Sequence, residues 1–397
     1  MMTRMYYGNK NILLERLLKK SIQPITFSNN FNKYINMLFN SVMEGNRFAK
    51  ENFTKEKINI SKYDINNINN INNYLNSQYF PKAIKNSILK NSKFIIKYNF
   101  NVKHRNIEIQ FILPHYNAIE FDNYCFYIQL IMNWIYVANK YACKKCACGK
   151  NLIIYLFFTD YKKKLNVNKN VILDAININT GISDICSNNS KIIIYRKEEW
   201  FKVLIHEIFH NYNLDFSNSD ISQVEGIFKK CFFIKSDFKI YEIYCESMAR
   251  MINTLYVGVY SLNYDNYNDF YDQFKMMFTY EITFSIMQAN KILNYMNLDY
   301  KTIIMQHTKS LTNYNEKTNI FCYYIGVALI FININKYIDF IYGNNYNILR
   351  FNDKKINNYV KFITNSYKTK YTIKEFMNKY LEINNNLKMS IFDFNLR

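Results

Sequence analysis

Five histidines occur in the 397-residue chain, and two of them, His206 and His210, stand four apart with Glu207 beside the first. In a helix, residues four apart share one face, so both imidazoles can point at one metal ion. Glu207 can then hold a water polarised by that ion and take its proton. The pattern predicts zinc-assisted hydrolysis, with His206 and His210 as ligands and Glu207 as general base. Its setting agrees. From Val203 to Leu214 there is no proline and no Lys, Arg, Asp or Glu other than Glu207. Trp200, Phe201, Leu204, Ile205, Ile208 and Phe209 make the segment apolar almost all round, as in a helix buried in a core. Polar side chains inside such a helix need partners, and a metal ion is one.

Catalytic zinc takes three protein ligands and keeps one position open. The third is sought in Tyr241–Arg250, YEIYCESMAR, where Glu242 and Glu246 are four apart on an expected helix. Glu242 is assigned as the ligand, with Glu246 and Asp215 as supporting acids. A second carboxylate can accept the free N–H of a ligating histidine. The reverse assignment, Glu246 as ligand with Ala249 three residues on, stays open, as do Asp215 and Glu225. A donor for a developing oxyanion is offered by His307, Tyr256, Tyr241 or His115, and the sequence does not choose among them.

The elements that carry these residues follow from periodicity. Strands are expected at Val102–Leu113, Leu152–Phe158, Val171–Ile178 and Lys191–Tyr195, the last two flanking a polar turn with Asn179, Gly181 and Asp184. Tyr124–Tyr141 reads as an apolar helix, and Asn213 suits the left-handed residue that ends one. Beyond Ser217 helices are expected near 218–232, 239–258, 266–296, 316–342 and 352–382. Residues 1–100 read mainly as helices, with 64–73 (DINNINNINN) a loop or irregular helix and the first twenty residues a basic, domain-capping helix. The expected fold is α+β: a small mixed β-sheet with the metal-site helix beneath it, then a mostly helical C-terminal half. Three regions follow: a helical 1–100, a strand-bearing 101–217 and a helical 218–397. An edge strand, Lys191–Tyr195 or its neighbour, would hold an extended peptide substrate by strand addition.

Composition bounds the partners. Asn, Ile, Lys, Tyr and Phe are over-used, as AT-rich codons would give, and the net charge of +20 follows from scattered lysines without a nucleic-acid partner being required. Scarce Gly (8) and Pro (3) argue against a turn-rich β-sandwich. The apolar run Ile320–Ile334 is short for a bilayer and contains Asn333, so it reads as a buried core helix and no transmembrane segment is expected. Eight cysteines without a secretory leader suggest free thiols in an intracellular compartment. Cys143, Cys146 and Cys148 have a spacing that could hold a second, structural zinc, but no fourth ligand is visible nearby, and a loop of plain thiols is the simpler expectation.

VLIHEIFHNY resembles the extended zincin signature, and EIYCE resembles the downstream ligand motif of the glutamate-zincins, the thermolysin-like branch. That branch more often has Asp where Glu246 stands. The metzincin branch is disfavoured, since Asn213 is not glycine and Phe216 is not histidine. The block IYRKEEWFKVLIHEIFHNYNLDFS, with TDYKKKL before it and YEIYCESMAR after it, is similar to uncharacterised metallopeptidase-like proteins encoded by giant DNA viruses. The resemblance implies one catalytic Zn2+ held by His206, His210 and Glu242, a peptidase activity with Glu207 as base, and a place in the host cytoplasm or the viral particle. A catalytically silent zincin-fold protein serving as a particle component is the alternative it leaves.

Overall fold

The structure, a computed structural model, describes residues 24–144, 146–169, 171–262, 266–305, 308–344, 347–377 and 384–394; the basic N-terminal segment and His307 lie outside them. The fold is α+β, with a six-stranded mixed sheet and a helical C-terminal half. The chain divides into two compact units. One takes Met37–Lys162, Asn179–Leu214 and the segment from Asp393; the other takes the residues up to Asn36, Lys163–Ile178 and Asp215–Phe392.

The sheet-bearing unit begins within helix α1 (Asn29–Asn52) and continues through β1 (Asn59–Lys62), α2 (Lys82–Asn91), β2 (Phe94–Val102), β3 (Arg105–Leu113), α3 (Phe121–Tyr141), β4 (Asn151–Thr159), β5 (Gly181–Ser183), β6 (Asn189–Arg196) and α4 (Trp200–Asn211). The strand order is β1-β2-β3-β4-β6-β5. β2 and β3 form a hairpin paired from Phe94↔Leu113 to Val102↔Arg105, turning through Lys103 at φ 53°. β3, β4 and β6 run parallel, which is why LIIYLFF and KIIIY are nearly unbroken apolar runs: interior parallel strands are covered on both faces. β5 pairs antiparallel with β6 at the edge of the sheet. Helix α4 packs on β5 and β6.

Several expectations change here. β2 replaces helix within 1–100, and its alternation is plain once seen: Ile96, Tyr98, Phe100 and Val102 are all buried. β1 has all four residues exposed and so carries no apolar signal. Residues 65–71 form a 3-10 helix, in keeping with an irregular helix there. Val171–Ile178 is not a strand. It ends in a short helix, Ala175–Ile178, where Asp174 accepts from Ile176 N at 3.0 Å and Asn177 accepts from Asp174 N at 3.1 Å. The polar turn expected around Gly181 is strand β5. Lys191–Tyr195 lies inside the sheet, paired on both sides, and its neighbour β5 is the edge.

The helical unit contains α5 (Ser222–Cys231), α6 (Ile240–Leu262), α7 (Tyr267–Tyr295), a π-helical turn Phe321–Gly326 leading into α8 (Val327–Ile332), α9 (Ile334–Asn344), α10 (Ile356–Ser366) and α11 (Lys370–Met377). α6, α7, α8 and the π turn pack on one another. A fully buried Arg250–Glu281 pair at 2.7 Å links α6 to α7, and Glu281 also accepts from Ile391 N at 3.0 Å. Ile320–Ile334 is buried as expected, but the helix breaks at Asn333, with a 91° bend between Phe321–Ile332 and Ile334–Gly343. No single helix among the described residues is long and apolar enough to cross a membrane.

Candidate metal centre

Helix α4 is pinned at both ends by its own sequence neighbours and by a distant segment. At its start Glu199 takes φ 59° and its N–H donates to Asp393 Oδ2 at 3.0 Å. That carboxylate also places negative charge at the positive end of the helix. Trp200 Nε1 donates to Phe394 O at 3.2 Å, and the indole packs on Tyr127 and Phe158 at ring separations of 4.9 and 5.4 Å. At its end Asn213 adopts φ 52°, Leu214 N donates to Phe209 O at 2.9 Å and Asn213 N to His210 O at 3.3 Å. This is a Schellman motif, and Asn213 is the left-handed residue it needs, as the sequence suggested. All twelve residues between are buried, so the polar ones sit on a helix with no solvent face.

His206 and His210 turn their Nε2 atoms toward each other at 3.1 Å, with the rings at 75°. Two nitrogens so spaced, each about 2.05 Å from a zinc ion, subtend roughly 100° at the metal, close to tetrahedral. The same spacing suits an N–H···N hydrogen bond between neutral rings. Glu207, between them in sequence, is also buried, and its Oε2 accepts from Ser183 Oγ on β5 at 2.6 Å. Gly181 lets β5 run this close: a Cβ there would lie 2.9 Å from Val203 Cγ1 and 3.3 Å from Glu207 Oε1. Ser183 was not foreseen, because a hydroxyl 24 residues away from its partner leaves no local signal.

Two loops close over the end of α4. Cys186 N donates to His210 O at 3.3 Å and Asn211 Nδ2 to Asp184 O at 3.2 Å. Asp184 accepts in turn from Tyr74 Oη and from Lys191 N at 2.7 and 2.9 Å. Burial first, then Asp184, pushes the Tyr74 pKa far above its usual value, so the hydroxyl stays a donor. The other loop contains Gly149 at φ 62°, whose N–H donates to Ser187 O at 2.7 Å. Arg105 reaches the same place, donating to Cys148 O at 3.1 Å from Nη2 and lying 4.4 Å over the Tyr212 ring. The expectation of free thiols is corrected here: Cys143 pairs with Cys146 and Cys148 with Cys186, while Cys125, Cys231, Cys245 and Cys322 are free and buried. Pairing across 38 residues depends on the sheet bringing the two loops together, which spacing alone does not disclose.

In the helical unit, α6 carries Glu242, Cys245 and Glu246, all buried. Asn319 Nδ2 donates to Glu242 Oε1 at 3.2 Å. Asp215, 1 % exposed, accepts from Cys245 Sγ at 3.3 Å and from Ser217 Oγ at 3.0 Å. Neither Asn319 nor the Cys245 thiol was anticipated. Glu225 lies on α5, where Lys229 approaches it at 3.8 Å. Tyr241 and Tyr256 lie on α6, Tyr256 fully buried, and His115 follows β3 in a bend.

His206 and His210 in the sheet-bearing unit, and Asp215, Glu242 and Cys245 in the helical unit, are buried residues of types that can hold a metal ion; Glu246 is not among the candidate groups of the described residues. Two imidazoles with a carboxylate fit zinc, but imidazole also suits copper, iron and nickel, so the donors do not by themselves select the metal. No protein-family model, no curated protein and no solved structure matches the chain.

Proposed function

We propose that this protein is a zinc-dependent endopeptidase of the glutamate-zincin kind, with His206, His210 and Glu242 holding the ion. The observation that carries the reading is the pair of Nε2 atoms 3.1 Å apart on a buried helix, with an acid between them whose carboxylate is fixed by Ser183. Bound zinc would supply a Lewis acid that makes water a nucleophile near neutral pH. The remaining chemistry belongs to the chain. Glu207 takes a proton from the attacking water and returns it to the leaving amine, so that a poor leaving group departs as a neutral one. Ser183 keeps one oxygen of that carboxylate hydrogen bonded, which fixes its orientation. β5, the edge strand that carries Ser183, has a backbone edge that an extended peptide can join as a further strand. That is why a peptide is the proposed substrate. Viral or host proteins are the proposed targets, in keeping with the resemblance to the viral proteins.

The test has two parts. Purified protein should carry zinc that is lost on His206→Ala or His210→Ala. Glu207→Gln should keep the zinc and lose cleavage of an unbiased peptide library. If the wild-type protein cleaves no better than Glu207→Gln, the catalytic reading fails and the silent, particle-component alternative stands. Retention on DNA that falls steeply with salt would instead support a nucleic-acid partner.

A further inference from the structure

The loop between β5 and β6 is held against the end of α4 and against the start of β4, and one of its ties is covalent. On the α4 side Asp184 O accepts from Asn211 Nδ2 at 3.2 Å, and Cys186 N donates to His210 O at 3.3 Å. On the other side Ser187 O accepts from Gly149 N at 2.7 Å and Asn188 O from Asn151 N at 2.9 Å. The Cys148–Cys186 disulfide joins the same two segments across 38 residues. One loop therefore serves both a histidine and the base. It bonds the backbone of His210 directly, and it continues from Ser183, whose hydroxyl fixes the Glu207 carboxylate.

Three features suit this bond to exchange. Cys186 adopts φ 41°, a left-handed backbone that costs energy in a residue other than glycine, so opening the crosslink would let the loop relax. Cys186 is partly exposed whereas Cys148 is 2 % exposed, so an attacking thiolate meets Cys186 first. The buried Arg105 donates to Cys148 O from Nε and Nη2 at 3.3 and 3.1 Å, which sets a cation beside the residue whose sulfur leaves. A cation so placed lowers the pKa of the departing thiol and speeds exchange.

We propose that Cys148–Cys186 is a redox latch on the helix of His206 and His210, on the reading that these histidines bind zinc. Oxidised, it holds the loop so that His210 and Glu207 keep their positions. Reduced by a dithiol, it lets the loop relax, and the hold on the ion weakens. The exchange balances. One thiolate of the dithiol attacks Cys186 Sγ, and the Cys148 sulfur departs as a thiolate and takes a proton. The second thiol of the dithiol then closes onto the first and frees Cys186 as a thiol. Two electrons and two protons pass to the protein, and the dithiol becomes a disulfide. The Cys143–Cys146 bond takes no part.

The experiment measures zinc affinity of the full chain against a competing chelator, oxidised and after reduction with a phosphine under argon, counting only the binding lost on His206→Ala. Reduction should weaken it about 10-fold or more, as loss of the support around a ligating histidine does, and reoxidation should restore it. The weakening should persist in Cys143→Ser with Cys146→Ser. Cys148→Ser with Cys186→Ser should bind as the reduced protein does, with or without phosphine. Should that variant fail to fold by circular dichroism, the Cys143→Ser, Cys146→Ser pair decides. Hydrogen exchange without zinc reads the loop alone: reduction should speed exchange at the Cys186 amide and leave β4 protected. Equal affinity in the two redox forms, or equal exchange at Cys186, overturns the latch. Zinc binding that ignores His206→Ala in both forms sinks the metal reading instead, and the exchange result then decides whether the loop is latched.

Discussion

Glu316 precedes the π-helical turn that packs on α6, and its titration should be visible in the stability of the helical unit. Its Oε1 accepts from Ser236 Oγ at 2.6 Å, and its Oε2 from Tyr314 Oη at 2.9 Å and Phe321 N at 2.8 Å. Burial raises its pKa from 4.5 to about 7, against the opposing pull of those hydrogen bonds. Below pH 4.5 folded and unfolded chains both hold the proton. Between 4.5 and 7 the unfolded chain releases it while the folded one keeps it, so stability falls as pH rises and levels off above 7. From pH 5 to pH 8 the loss from this one group comes to about 2.5 kcal/mol. Glu316→Gln mimics the protonated acid: its amide can donate to the Ser236 oxygen while its carbonyl keeps the other two bonds. The variant should therefore track the wild type at pH 5 and exceed it by about 2 to 3 kcal/mol at pH 8. Urea unfolding followed by far-UV circular dichroism at both pH values, read as the difference between the two proteins, removes the contribution of every other titrating group. A difference independent of pH would refute the assignment.

Three further outcomes follow from local geometry. Ser183→Ala should lower peptide cleavage about 10-fold with zinc content unchanged, because it frees the Glu207 carboxylate without touching a ligand; an equal loss of metal would show that Ser183 merely supports the fold. Gly149→Ala should cost about 2 to 4 kcal/mol in urea unfolding read by tryptophan fluorescence. A Cβ there would meet Tyr212 Cε1 at 2.5 Å on a backbone with φ 62°. Asn213→Ala should cost about 1 kcal/mol more than Asn213→Gly by thermal denaturation, since both remove the same side-chain contacts and only glycine takes the left-handed conformation without strain.

The helix of His206 and His210 was legible because it is local: the two histidines, Glu207, the apolar faces and the terminal asparagine all fall within Trp200–Leu214. Interior strands β4 and β6 were legible for a related reason, since burial on both faces writes a continuous apolar run. β5 was not, because three residues, Gly181, Ile182 and Ser183, give no period to read. Val171–Ile178 misled in the opposite direction, as its apolar residues suggested a strand while Asp174 and Asn177 direct the backbone into a turn of helix. The partners of the site residues were the least legible. Ser183 to Glu207, Asn319 to Glu242 and Cys148 to Cys186 are each made by the fold between residues 24, 77 and 38 apart.

The bond from Glu199 N to Asp393 joins residues 194 apart in sequence. During synthesis at about 5 to 20 residues per second, His206, Glu207, His210 and Glu242 are all in the nascent chain about 8 to 30 seconds before the residue that secures the start of α4. A chain cut short in between would contain all four residues while the start of α4 lacked that bond. Asp393 therefore ties the order of the first turn of α4 to a residue synthesised long after the helix itself.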